Sequence, residues 1–248
     1  VTRDISADFL EMTQYRHMGP PDQQKGRPQP PLQWPAEVGE RFGLTDPRAL
    51  DQGSVPLRAV IEQRRSLREF ADEPLTLDEL GHLLWATQGI RRVVPERATF
   101  RTVPSAGARH AFETLVLANR VDGLPAGLYR YLAIEHELVG RPSRPEFPER
   151  LTEACHGQTM VAASAATFIW VADRYRMFYR YGERGMRYLH LDAGHACQNL
   201  YLAAESIGAG TCAIGAFFDE KVNGLLGFDG FDRFVIYLAP VGKRPADR

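Results

Sequence analysis

Apolar side chains along the chain change their spacing several times, and each change marks an element. Between Leu77 and Gln88 the positions Leu80, Leu83, Leu84 and Ala86 or Thr87 recur at three and four residues, the period of a helix with one buried face. Thr76 and Glu79 stand before it in the Thr-x-x-Glu form of a capping box, and Gly89 follows as a stop. A second, longer helical pattern covers residues 186–207 and ends at Gly208, and shorter ones cover residues 55–63 and 219–226. Residues 112–121 and 127–132 are rich in aromatic and β-branched side chains and predict strands, with 137–139 folding back as a hairpin. Residues 166–172 are apolar at every position, as expected of a central strand buried on both faces. Residues 233–238 predict a last strand.

Helices and strands do not alternate one for one, so the expected class is α+β rather than a doubly wound parallel sheet. Residues 19–35 are crowded with proline, glycine and polar side chains, which cannot sustain a helix or a central strand. The expected organisation is an extended N-terminal arm over residues 1–54 and a domain over residues 55–248.

Composition narrows the function classes. The chain has 248 residues, 44% hydrophobic and 25% charged, with a formal net charge of −1. A core large enough to need no disulfide or metal staple follows from the length. The balanced charge speaks against a nucleic acid or an anionic membrane as the main partner. The three cysteines, Cys155, Cys197 and Cys212, form no CxxC pair. No apolar run reaches the roughly 20 residues that a membrane-spanning helix requires, and the first residues lack the apolar core of a secretory signal. A cytoplasmic setting is the expectation.

Three segments carry candidate chemistry. Arg64, Arg65, Ser66 and Arg68 gather guanidinium groups and a hydroxyl that suit phosphate oxygens, although such a cluster is more often a solvated face. Pro104, Ser105, Ala106 and Gly107 form a run of small residues where backbone can approach a flat ligand, and ordinary turn chemistry explains them equally well. The glycines at 208, 210 and 215 follow a helix and lack GxGxxG spacing, which argues against a Rossmann dinucleotide site. His190, Asp192 and His195 invite a metal reading, but the histidines are five apart and do not share a helix face. Cys197 and Cys212 lack the flanking cations that would lower a thiol pKa, and are read as small buried hydrophobes.

Taken together in order and spacing, these segments resemble the nitroreductase superfamily. The resemblance runs over residues 56–245 and is most specific to the SagB-type dehydrogenase branch. It is carried by Arg-Arg-Ser-x-Arg-x-Phe from Arg64, by the stretch from Leu83 to Ile90, and by Pro-Ser-Ala-Gly-Ala from Pro104. Gly127 to Tyr131, Tyr181 to Arg184, the helix from Asp192 to Leu200 and the basic end at Lys243 and Arg244 complete it. The resemblance implies a nitroreductase-like α+β fold, a central mostly antiparallel sheet flanked by helices, in an interlocked homodimer with FMN sites at the interface. Arg64, Arg65, Ser66 and Arg68 would then hold the FMN phosphate and ribityl chain, with Lys243 or Arg244 closing the site. Pro104, Ser105, Ala106 and Gly107 would lie against the isoalloxazine from the other subunit. Ile214, Gly215 and Ala216 would offer backbone N–H groups near its reactive edge.

The activity so implied is oxidoreduction by two-step hydride transfer through bound FMN, on a small-molecule or peptide-derived substrate. In the azole-forming members of this branch a lysine–tyrosine pair assists proton removal; the matching positions here are Arg180 and Tyr181. An arginine keeps its proton at any ordinary pH and cannot become the base that a desolvated lysine becomes. Tyr181 reads either as a proton relay or as a packing residue. The alternatives are an NAD(P)H-dependent nitro or quinone reductase, a flavin-consuming enzyme, and a non-catalytic flavin-binding subunit of a peptide-modifying complex docked through its proline-rich arm. Residues 91–101 and 173–187 are the candidates for lining the substrate mouth.

Overall fold

A computed structural model describes residues 4–50 and 53–246. Residues 1–3, 51, 52, 247 and 248, which fall within the arm and domain ranges given above, lie outside the described residues. In chain order the helices are α1 (Ile5–Met12), α2 (Leu57–Gln63), α3 (Leu77–Gln88), α4 (Phe147–Ala154), α5 (Met160–Ala163), α6 (Arg174–Tyr181), α7 (Gly185–Ser206) and α8 (Asp219–Leu226). The strands are β1 (Arg41–Gly43), β2 (Leu75–Thr76), β3 (Ile90–Val94), β4 (Ala98–Arg101), β5 (Phe112–Ala118), β6 (Val121–Asp122), β7 (Gly127–Leu132), β8 (Glu137–Arg141), β9 (Ala166–Asp173), β10 (Ala209–Thr211) and β11 (Arg233–Lys243).

Seven strands form one sheet in the order β1-β8-β7-β5-β9-β11-β10, with every neighbouring pair antiparallel. At its centre β5 and β9 are buried along almost their whole length, because both sheet faces are covered. The period-two alternation of a strand sorts their side chains. Val116, Phe168 and Trp170 face Leu80, Leu83 and Leu84 of α3 and Leu189, Ala196 and Leu200 of α7. Leu115, Leu117, Ile169 and Val171 face Leu151 of α4, Met160 of α5 and Val222 of α8. The architecture is therefore α+β, a mostly antiparallel sheet between two helical layers. The capping box forms as expected: Glu79 N–H donates to Thr76 Oγ1 at 3.1 Å and Thr76 N–H to Glu79 Oε2 at 2.9 Å.

Several boundaries differ from the expectation. The strand expected over 112–121 stops at Ala118, because the N–H groups of Asn119 and Arg120 both turn to the Ala165 carbonyl. The Asn119 amide then donates to the carbonyls of Val161 and Ser164 at 3.0 and 3.1 Å, which anchors the turn. The last strand, expected over 233–238, runs on to Lys243 through Pro240. Pro240 directs its carbonyl toward Cys212 and Thr211 Oγ1 at the short edge strand, where a missing N–H does little harm. Helices α1, α4, α5 and α6 and the β3–β4 hairpin were not anticipated.

The N-terminal segment is irregular over residues 18–40 apart from turns, yet it does not project from the body. Strand β1 adds to the sheet edge, and α1 is tied to the start of α7 by Arg187, whose guanidinium donates to the Leu10 carbonyl at 2.6 Å. Trp34 is buried, donating its backbone N–H to Glu113 at 2.9 Å and its indole N–H to Asp173 at 2.7 Å. Glu113 in turn pairs with the fully buried Arg130 at 3.0 Å and with Arg176 at 2.8 Å. Each guanidinium also reaches a backbone carbonyl, Arg130 that of Pro35 and Arg176 that of His110. Buried charges survive when paired and hydrogen-bonded in this way, and this set clamps the arm to the sheet.

Candidate functional site

The chain after α2 leaves the helix at Arg64 and runs along the sheet edge. Leu67 N–H donates to Thr211 O at 2.9 Å and Ala71 N–H to Lys243 O at 3.0 Å. It lies this close because Gly210 and Gly242, directly paired across β10 and β11, have no side chains. A Cβ on Gly210 would come within 2.7 Å of the Leu67 side chain, and one on Gly242 within 2.8 Å of the Phe70 ring. Arg65, Ser66 and Arg68 are thereby displayed at the surface, with Arg64 half-buried. The guanidiniums of Arg65 and Arg68 have no hydrogen-bond or ion-pair partner among the described residues.

Tyr201 of α7 organises this edge, and nothing in the helical pattern over 186–207 singles it out. Arg64 stacks over its ring at 5.2 Å, and its hydroxyl lies 3.0 Å from Ser66 Oγ. The same hydroxyl accepts the Ala213 N–H at 2.9 Å. One phenol thus joins the Arg64–Arg68 segment to the run Ile214–Gly215–Ala216. Within that run the Ile214 N–H is already donated to Leu238 O at 2.8 Å, so Ile214 is not a free donor. Gly215 and Ala216 are exposed, and their N–H groups have no partner among the described residues. Lys243 is ion-paired with Glu79 and Arg244 with Glu205, so both cations at the C-terminal end are engaged.

The loop Pro104–Gly107 is built elsewhere. The buried Asp192 of α7 accepts from Ser105 Oγ at 2.6 Å and from the Ala106 N–H at 3.1 Å. Burial pushes its pKa up, and the Ser105 hydrogen bond works against that. Ser105 Oγ also accepts the His110 N–H at 2.9 Å, which closes the loop on itself. Asp192 therefore serves the loop rather than a metal, and among the described residues no group of three His, Cys, Asp or Glu side chains suits an ion. Gly107 has φ of 55°, and a Cβ there would lie 2.4 Å from the Tyr181 hydroxyl and 2.8 Å from Arg180 Nε. The Arg180–Tyr181 pair and the loop thus meet within one chain, with the Arg180 guanidinium 5.7 Å from the Tyr181 ring centre. The Tyr181 hydroxyl has no hydrogen-bond partner among the described residues; its ring packs on Tyr188 at 4.7 Å.

Asp192 and Tyr201 are nine residues apart on α7, which at about 100° per residue puts them on opposite sides of the helix, about 13.5 Å apart along its axis. Within one chain, α7 separates the cationic edge from the small-residue loop. Beside the loop is a cavity of about 510 Å³ lined by Arg91, Arg92, Phe100, Arg101, Ser105 and His110, among others. Of residues 91–101, Arg91, Arg92, Phe100 and Arg101 line this cavity, whereas residues of 173–187 border other clefts. Burial, then the Arg101, Arg109 and Arg176 charges, push the His110 pKa down to about 2. Cys197 and Cys212 are buried free thiols, and burial pushes Cys197 up to about 12, as inert packing groups require. No helix among the described residues is long and apolar enough to cross a membrane.

Comparison with known proteins gives the class to which this α+β sheet belongs. The nitroreductase family profile matches residues 61–243, and the chain belongs to that family of oxidoreductases. A Methanocaldococcus jannaschii protein described as a nitroreductase is 38% identical over 194 residues, 78% of this chain and 94% of the relative. The trifolitoxin operon protein TfxC of Rhizobium leguminosarum bv. trifolii is 28% identical over 72% of this chain and 53% of its own length. The crystal structure of an Anabaena variabilis protein described as a nitroreductase superposes with a TM-score of 0.68 at 28% identity, over 86% of this chain and 45% of that one. The chain therefore spans only about half of the last two proteins.

Proposed function

We propose that this chain is an FMN-dependent oxidoreductase of the SagB-type branch, acting as an interlocked homodimer on a small or peptide-derived organic substrate. The observation that carries the reading is the single Tyr201 hydroxyl that joins a row of unpaired guanidiniums to the exposed Gly215 and Ala216 N–H groups. These residues fit the cofactor. Arg65 and Arg68 suit a phosphate dianion, Ser66 and Arg64 the ribityl end, and the two amides a carbonyl or ring nitrogen that gains charge on reduction. Lys243 and Arg244 are balanced by Glu79 and Glu205, so in this reading the charge that meets the phosphate comes from Arg65 and Arg68. When bound, FMN supplies hydride acceptance from a donor and delivery to an acceptor.

The chain's own groups bind, orient and move a proton. The second half-site, Pro104–Gly107, lies across α7, and a partner subunit would bring it to the cationic edge. Exposed positions Leu191, Gly194, His195 and Gln198 on α7 give a stripe for that contact. The unpartnered Tyr181 hydroxyl is the proton relay in this reading. The guanidinium at 180 favours an NAD(P)H-driven nitro or quinone reductase over azoline dehydrogenation, since it cannot take the proton.

The test is the visible spectrum of the purified protein, with mass analysis of the ligand released by heat and anaerobic addition of NADH or NADPH. A flavin band identified as FMN and bleached by the nucleotide is expected. A protein that stays colourless after incubation with FMN would sink the proposal. Sedimentation of the holoprotein as a monomer would sink its dimeric part.

A further inference from the structure

The cavity beside the Pro104–Gly107 loop has a one-sided charge. Its lining includes Arg91, Arg92 and Arg101 and no carboxylate among the described residues. Arg91 and Arg92 are exposed on β3 and have no ion-pair or hydrogen-bond partner among the described residues. Arg101 is buried and bonded only to neutral acceptors, Gln88 Oε1 at 2.7 Å and Thr99 Oγ1 at 3.2 Å. Behind it Arg109 is likewise held by neutral oxygens, those of Gly107, Gln29 and Arg97. Of the buried carboxylates nearby, Glu113 is taken by Arg130 and Arg176, and Asp192 by the Ser105 hydroxyl and the Ala106 N–H.

A second observation is independent of the arginines on β3. His110 is 5% exposed, borders the cavity, and its ring has no hydrogen-bond partner among the described residues. Its backbone is held at φ of 44° by the loop's own bonds, so the ring is positioned by the fold rather than by a protein partner. Burial first, and then the charges of Arg101, Arg109 and Arg176, keep this imidazole neutral, and the same charges would draw in an anion. Phe100, 47% exposed, is the cross-strand partner of Arg92, whose guanidinium lies 6.0 Å from its ring centre. An aromatic face and a guanidinium thus stand side by side at the entrance.

We propose that this cavity is the acceptor subsite and that it selects a planar aromatic carboxylate, its charge met by Arg91 and Arg92, its ring lying against Phe100, and the His110 ring supplying a further hydrogen bond. Its assignment to the acceptor rests on the flavin reading above, because Pro104 and Ser105 border both the cavity and the proposed flavin face; its preference for an anion does not.

Equilibrium dialysis of the full chain against 4-nitrobenzoate and its neutral near-isostere 4-nitrobenzamide separates the two ideas. The benzoate is expected to bind about 25-fold more tightly, about fivefold for each of the two guanidiniums, and the ratio to fall as ionic strength rises. In the Arg91→Gln/Arg92→Gln variant the ratio should drop by about fivefold for each guanidinium removed, the effect of a unit charge pair at 4 Å in water. Thermal melting checks that the variant keeps its fold, as both positions are at the surface. Equal affinity for the two probes, no benzoate binding, or a ratio unchanged in the variant overturns the proposal. So does a variant that loses NADPH affinity while keeping the ratio, since the anion would then be the donor's phosphate. Flavin content is read from the same samples, so a preference for the benzoate without flavin would refute the cofactor reading and leave the anion site standing.

Discussion

Ser66 and Tyr201 are 135 positions apart in the chain, yet Ser66 Oγ lies 3.0 Å from the Tyr201 hydroxyl. That hydroxyl also accepts the Ala213 N–H, so it is free to give its own proton to Ser66. The cation-bearing segment and the exposed amides that follow Ala213 are held in register by one side chain.

Tyr201→Phe removes both bonds and keeps the ring under Arg64. At roughly 1 kcal/mol for each hydrogen bond, FMN affinity should fall by about one order of magnitude or slightly more. Titration of FMN fluorescence measures it, and an unchanged dissociation constant would show that Tyr201 does not organise the site.

Gly107→Ala should destabilise the protein by roughly 1–3 kcal/mol, because its positive φ and the Tyr181 hydroxyl both oppose a Cβ. Urea unfolding of the single variants and of Gly107→Ala/Tyr181→Phe gives the coupling. The double variant should recover part of the loss, since the clash is with the hydroxyl; strict additivity would mean that the two residues do not touch.

Glu113→Gln removes the carboxylate that Arg130 and Arg176 share and leaves them only their outer partners, Glu37 at 2.7 Å and Asp173 at 3.4 Å. Because those partners remain, the cost should fall below the ~3–5 kcal/mol of a fully broken buried pair, at about 1–3 kcal/mol. The arm should loosen first, because Trp34 gives its N–H to the same carboxylate. Trp fluorescence and limited proteolysis within residues 19–40 report that loosening, and a variant with native unfolding midpoint and proteolysis pattern would refute the clamp.

His110 titrates near pH 2 in the folded chain, below its ordinary value of about 6.5. Below about pH 6.5 the unfolded chain therefore takes up a proton that the native chain refuses, and stability falls as pH drops. The slope from this residue is at most ~1.4 kcal/mol per pH unit. His82 and His136, also lowered by burial, act in the same direction. Urea midpoints between pH 7 and 4.5 should fall for the native protein and fall less steeply for His110→Gln. Equal slopes would place His110 in contact with water.

Much of the framework was legible along the chain because it rests on local periodicity. The capping box at Thr76, the three-and-four spacing of Leu80, Leu83 and Leu84, and the unbroken apolar run of β9 each reflect contacts that a regular element must make. The candidate segments were legible for a different reason. Their composition of guanidinium, hydroxyl and small residues suits a ligand's chemistry, and their order along the chain resembles a known family. What escaped was whatever depends on distant partners. Glu113 and Arg130 look like breaks in apolar strands until they are seen to answer each other. Helix α6, with its run of arginine and aromatic residues, has no clean apolar stripe to announce it.

By itself the sequence determined the type of the central elements, the α+β class and the residues suited to phosphate and flat-ring chemistry, because propensity, periodicity and side-chain chemistry are properties of short stretches. Only the tertiary structure decided that Ile214 spends its N–H on Leu238, that Lys243 and Arg244 are engaged with Glu79 and Glu205, and that Tyr201 joins two segments. It also decided that α7 sets the cationic edge and the Asp192-held loop on opposite sides. Those outcomes depend on which groups meet across the sheet and the long helix, and hydrogen-bond partners separated by a hundred residues leave no mark on the local pattern.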